Sequence, residues 1–142
     1  MKVFFCIFLC LFFFNNFCLS QKNIIEYDKL IRIADSNFKS NNYRDAVNYY
    51  SKAFEKNGLG KVKDRYKAAI CYAILNNVDS SFVQLIRISF TGKYSNYQEI
   101  INEQKFTPLQ GDPRWVGILE KIKRNSIEIN QKLIEMEQVN QL

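Results

Sequence analysis

The sequence predicts an all-α chain: two helix hairpins, a short helix and a long C-terminal capping helix, stacked as a short α-solenoid. Three observations carry this. From Ile24 onward the apolar residues recur at spacings of three and four, and strand-like alternation is scarce. Asn, Gly and Pro fall between the periodic stretches, where helices must end. Ala34, Tyr50 and Ala53 are matched 35 residues later by Ala69, Leu85 and Ile88, and Asn41-Asn42 by Asn76-Asn77. A period near about 34 residues with two helices per unit is the mark of a helical-hairpin solenoid.

Residues 1–20 read as a separate segment. Lys2 precedes an apolar run from Val3 to Phe14, then Asn15-Asn16 and Phe17-Cys18-Leu19-Ser20. One positive charge, a short hydrophobic stretch and small residues at the end make a secretory signal peptide, with cleavage between Ser20 and Gln21. The expected location is the periplasm or the exterior. The alternative is membrane anchoring through this segment, yet a span needs about 20 apolar residues and two asparagines interrupt the run. Lipidation at Cys18 would need a better match than Asn15-Asn16-Phe17 before it.

The helical domain is expected over 21–124, with repeats at about 27–60 and 62–92 and a closing element at about 95–124. The first helix, about Ile24 to Lys39, carries Leu30, Ile33, Ala34, Asn37 and Phe38. Ser40-Asn41-Asn42 breaks it. A second helix, Tyr43 to Lys56, carries Ala46, Val47, Tyr50, Ala53 and Phe54, and Gly58-Leu59-Gly60 supplies a glycine C-cap. The third runs from Val62 to Leu75 and is stopped by Asn76-Asn77. Asp79 or Ser80 caps a fourth, which holds Phe82, Leu85, Ile86 and Ser89 and stops near Gly92. Ser95-Asn96-Tyr97-Gln98 fits a capping box for a fifth, Asn96 to Glu103. Pro108 and Gly111 punctuate a loop, and Asp112 as N-cap with Pro113 behind it starts the last helix. That helix holds Trp115, Ile118, Leu119 and Ile122 and runs beyond Met136. From Asn125 to the end, 125–142, it turns polar, as either a solvated extension or a short seam for another helix.

Phe38-Lys39-Ser40-Asn41-Asn42-Tyr43-Arg44-Asp45-Ala46, continued by Tyr49-Tyr50-Ser51-Lys52-Ala53-Phe54, resembles the turn and second helix of a tetratricopeptide (TPR) repeat. Ala34, Ala46, Tyr50 and Ala53 stand at the family's small and aromatic positions. Asn41 replaces the common turn glycine, and asparagine tolerates left-handed backbone angles. The second unit is more degenerate, with Ser81 and Ile88 where alanine is preferred. Phe106 to Trp115, containing Asp112-Pro113-Arg114-Trp115, resembles a closing element of small secreted bacterial TPR-containing proteins. There Trp115 reads as a core anchor and Arg114 as a cap contact. The resemblance covers about Glu26 to Lys123 and implies a TPR-like fold.

The chain has no histidine, which removes Ser-His and Cys-His catalysis, histidine general bases and most zinc sites. Past the signal only Cys71 remains, within an apolar helical pattern that makes it a buried small hydrophobe. No Gly-rich phosphate loop is present. No catalytic residue, metal ligand or cofactor is therefore expected, and the chain reads as a non-enzyme. Its net charge is +6, with Lys and Arg dispersed among Asp and Glu, unlike the clustered basic face that nucleic-acid binding requires.

Binding remains. The TPR resemblance implies an adaptor whose concave face, lined by the first helix of each repeat, holds an unidentified protein or peptide. It maps onto Ile31, Asp35, Phe38 and Lys39, with Tyr66, Ile70 and Ile74 from the second repeat. Ala34, Ala46, Tyr50, Ala53, Ala69, Leu85, Asp112, Pro113 and Trp115 are expected to be structural. Phe38, Ile70 and Ile74 can equally be buried between hairpins. The alternatives are a self-associating module, paired through the groove or the last helix, and a small-ligand carrier.

Overall fold

A computed structural model of the chain describes residues 22–140, and the expected export segment lies outside them. The described residues are helical, without strands. Helix α1 covers 22–39, α2 Tyr43–Lys56, α3 Val62–Ile74 and α4 Val78–Ile86. A π turn, Arg87–Thr91, prolongs α4; α5 is Tyr97–Asn102; a 3-10 turn, Gln104–Leu109, leads to α6, Pro113–Val139.

The two inter-helix turns repeat in detail. Asn41 and Asn76 take left-handed backbone angles, φ 59° and 56°. The N–H of Asn42 donates to the Asn37 carbonyl at 2.9 Å, and that of Asn77 to the Tyr72 carbonyl at 2.8 Å. Each bond spans five residues and closes the helix end on one of its free carbonyls. The donors lie 35 positions apart, so the sequence period is also a period of backbone geometry.

Helix α3 lies at the centre. Eight of its 13 residues are buried, and only a narrow side carrying Lys63, Lys67 and Ile74 reaches solvent. Ala68 and Cys71 join Tyr27, Ile31, Ala34, Ala46, Tyr50 and Ala53 in one apolar cluster. Tyr66, Ala69, Ile70 and Ala73 enter a second, with Phe82, Leu85 and Ile88 and the closing residues Ile100, Phe106, Leu109, Trp115, Ile118 and Ile122. Ala34, Ala46, Ala53 and Ala69 have no exposed surface, and their small side chains let the helices approach closely. Trp115 is buried against Phe106, ring centroids 5.7 Å apart, as the anchor of α6.

Several local expectations need correction. Helix α4 is capped by Asn77, whose side chain accepts from the Ser80 N–H at 3.2 Å, in place of Asp79 or Ser80. The cap of α5 is Asn96, accepting from the Glu99 N–H at 3.1 Å, one residue on from the expected Ser95–Gln98 pair. Helix α2 ends on extended Asn57; the left-handed glycine is Gly60, φ 61°, which turns the chain into α3. The stretch before α6 is a 3-10 turn that buries Phe106 and Leu109. The start of α6 follows the expectation: Asp112 accepts from the Arg114 N–H at 2.9 Å and Pro113 follows it. Asn125 belongs to the body, being buried and donating to the carbonyls of Ser89 at 2.7 Å and Tyr94 at 2.9 Å. Those carbonyls lie in and after the π turn.

Candidate functional site

The seven residues expected to line a concave face do not form one open surface. Ile31, Tyr66 and Ile70 are buried, which corrects their assignment to a groove. Ile31 packs between α1, α2 and α3 with Ala34, Ala46 and Ala68, and the closing segment covers the other two. Phe106 meets the Tyr66 ring edge-on at 5.6 Å, and Ile70 packs in the cluster that includes Trp115. Asp35 is half-buried and already engaged, accepting from the Tyr50 hydroxyl at 2.5 Å and from Lys67 Nζ at 2.8 Å. Phe38 is half-buried against Tyr43. Only Lys39 and Ile74 are exposed, at the turn end of their helices.

Sequence reasoning missed a set of buried polar side chains at the opposite end. The Tyr27 hydroxyl donates to Asp64 Oδ2 at 2.7 Å and accepts the Lys61 N–H at 2.8 Å. Arg65, one residue on, donates from Nε to the Leu59 carbonyl, from Nη2 to the Gly58 carbonyl at 2.6 Å and from Nη1 to Gln84 Oε1 at 2.5 Å. Its guanidinium lies 4.1 Å from the centre of the Phe54 ring. It thereby ties the loop after α2 to α4. Asp64 and Arg65 sit in the first turn of α3, where charged residues ordinarily face solvent; no signal in the sequence marks them as buried.

Arg114 also does more than cap its own helix. It holds Asp112 at 2.7 Å through Nη2, reaches Asp79 at 2.8 Å through Nη1, and covers the Phe82 ring at 4.2 Å. The starts of α4 and α6 are thus joined. The carboxyl of Asp112 is held down to about 2 by the Arg114 guanidinium and backbone N–H.

The second half of α6 carries a run of exposed apolar side chains. Ile127, Ile129, Leu133, Ile134 and Met136 are 40–62% exposed, and every residue from Ile127 to Asn140 is exposed. That stretch is about 20 Å of helix leaving the body. Among the described residues, no group of three or more His, Cys, Asp and Glu is placed to hold a metal ion. Among them, too, no helix is long and apolar enough to cross a membrane. Comparison with protein-family models, with curated proteins and with solved structures finds no match.

Proposed function

We propose that this chain is a non-enzymatic protein-interaction module whose contact surface is the free half of α6, and that it pairs there with a second copy. The observation that carries the reading is continuity. Trp115, Leu119 and Ile122 follow one another at four- and three-residue steps on the side of α6 that meets the body. The same steps continue through Ser126, Ile129, Leu133, Met136 and Asn140, where no body remains. Such a 4-3 stripe is what one helix needs to seat another. The body occupies the first half of the stripe, so a partner running antiparallel meets only the open half. Each copy then covers the other's exposed Ile129, Leu133 and Met136.

The resemblance to TPR repeats supports an interaction role in general, and the signal-like residues 1–20 support an exported one. An adaptor role on the α1–α3 face is the weaker reading, because Tyr66 and Ile70 are buried beneath the closing segment. Light scattering on residues 21–142, and on the same chain ended after Asn125, tests the proposal. A dimer that the truncation converts to a monomer supports it. Equal masses for the two chains at concentrations up to about 100 μM, where a pairing worth roughly 5.5 kcal/mol is half complete, would sink it.

A further inference from the structure

A cleft of about 180 Å³ opens between the loop after α2 and the π turn. Its charged lining residues are Arg65 and Arg87, and Thr91 is a further polar one. Leu59, Val62 and Ile88 line the remainder. The π turn supplies Arg87, Ile88 and Thr91, and one-turn π insertions occur often at functional sites. Gly92 closes the wall tightly: a Cβ there would lie 2.6 Å from Val62 Cγ2 and 2.9 Å from the Ile88 carbonyl oxygen.

The two arginines differ in what holds them. Arg65 is 4% exposed and spends three of its five N–H groups on the loop carbonyls and Gln84, leaving one free on each terminal nitrogen. Arg87 is exposed. Among the described residues neither forms an ion pair with a carboxylate. Glu55 lines a shallower hollow beside the same two arginines without reaching either as an ion pair. Burial first, and then the neighbouring Arg87, weaken the hold of Arg65 on its proton. A buried cation facing a second cation is costly unless an anion joins them. Guanidinium forks are matched to carboxylate geometry, and the apolar wall favours an anion that carries an apolar group over bare phosphate.

We propose that this cleft binds a carboxylate borne on a small apolar group, the carboxylate bridging Arg65 and Arg87 and the apolar part resting on Leu59, Val62 and Ile88. Two sources present that chemistry: the C-terminus of a peptide ending in an aliphatic residue, and a free short-chain acid. The cleft is separate from α6, so this inference stands apart from the pairing proposed above.

Thermal shift and titration calorimetry on the purified chain, with N-acetyl-leucine, hexanoate, N-acetyl-leucinamide and inorganic phosphate as probes, test it. The two carboxylates are expected to raise Tm by about 4 °C at ten times their Kd. Tighter binding of N-acetyl-leucine assigns a peptide end, and tighter binding of hexanoate a free acid. Arg87→Gln is expected to weaken both at least tenfold while leaving the unliganded Tm unchanged or slightly higher, because among the described residues the exposed Arg87 side chain forms no ion pair. No shift with either carboxylate overturns the assignment. So does an equal shift from the uncharged amide, a shift from phosphate alone, or undiminished binding by Arg87→Gln.

Discussion

The hydroxyl of Tyr27 donates a 2.7 Å hydrogen bond to Asp64 across the α1–α3 interface, and both residues are buried. The other carboxylate oxygen of Asp64 has no partner, so Tyr27 is its only side-chain hydrogen bond among the described residues. Tyr27→Phe keeps the ring packing and removes this bond, together with the acceptor for the Lys61 N–H. The expected loss is about 1–3 kcal/mol, because a buried acceptor is left unsatisfied. Urea unfolding at neutral pH checks it. A loss below about 0.5 kcal/mol would show that Asp64 finds another donor.

Two glycines give opposite expectations. Gly92→Ala drives a methyl into Val62 and the Ile88 carbonyl and is expected to destabilise by about 1–3 kcal/mol. Gly117 lies exposed within α6, and a methyl added there would meet nothing within 4 Å. Gly117→Ala is therefore expected to stabilise by about 0.5–1 kcal/mol, through helix propensity and a less flexible unfolded chain. The pair of urea midpoints should move in opposite directions.

The pH dependence has two limbs. Burial works against the charge of Asp35, but hydrogen bonds from Lys67 and Tyr50 outweigh it and hold the carboxyl below its ordinary range. A carboxylate depressed on folding contributes stability that is present above its unfolded value and lost as pH falls through the folded one. Burial pushes the Cys71 thiol up to about 12 and raises the phenols of Tyr27, Tyr50, Tyr66 and Tyr94 above their usual range. Stability from keeping these neutral is complete below their unfolded values and declines as pH rises past them. Tm is thus expected to be flat between about pH 5 and 8, to fall below about pH 4 and to fall again above about pH 9. A melting series across that range, flat at either end, would contradict the corresponding limb.

The same burial makes Cys71 inert. In residues 21–142 it is the only thiol, fully buried, with its thiolate disfavoured by desolvation. A disulfide reagent at pH 8 is expected to label it no faster than the chain unfolds, and at once in denaturant. Immediate labelling of the native chain would place the thiol at the surface.

The sequence reached the helices more surely than their surroundings. The range Tyr43–Lys56 could be read off because an apolar stripe is bounded by Asn-rich turns, and Asp112-Pro113 announces α6 from two residues alone. The caps Asn77 and Asn96 were harder, since Asp79, Ser80 and Ser95 offer equivalent acceptors within three residues. Periodicity marks Tyr66 and Ile70 as one apolar face, but it carries nothing about Phe106 arriving to cover them. Arg65 and Asp64 escaped for a related reason: only the fold brings Tyr27, Gln84 and the Gly58–Leu59 carbonyls to them. Asn125 looked like the start of a polar tail, and its partners lie more than 30 residues away.

The free half of α6, as a surface for a second copy, is the feature on which the proposed function turns. A stretch of about 14 residues that has left the body is marginal as an isolated helix. Amide hydrogen exchange over residues 127–139, measured at about 5 and 500 μM, bears on it directly by spanning the micromolar range of such pairing. Pairing predicts fast exchange in the dilute sample, protection that grows with concentration and is confined to this segment, and loss of that protection in Leu133→Glu. Exchange that is equally fast at both concentrations, or protection that Leu133→Glu leaves in place, would contradict it.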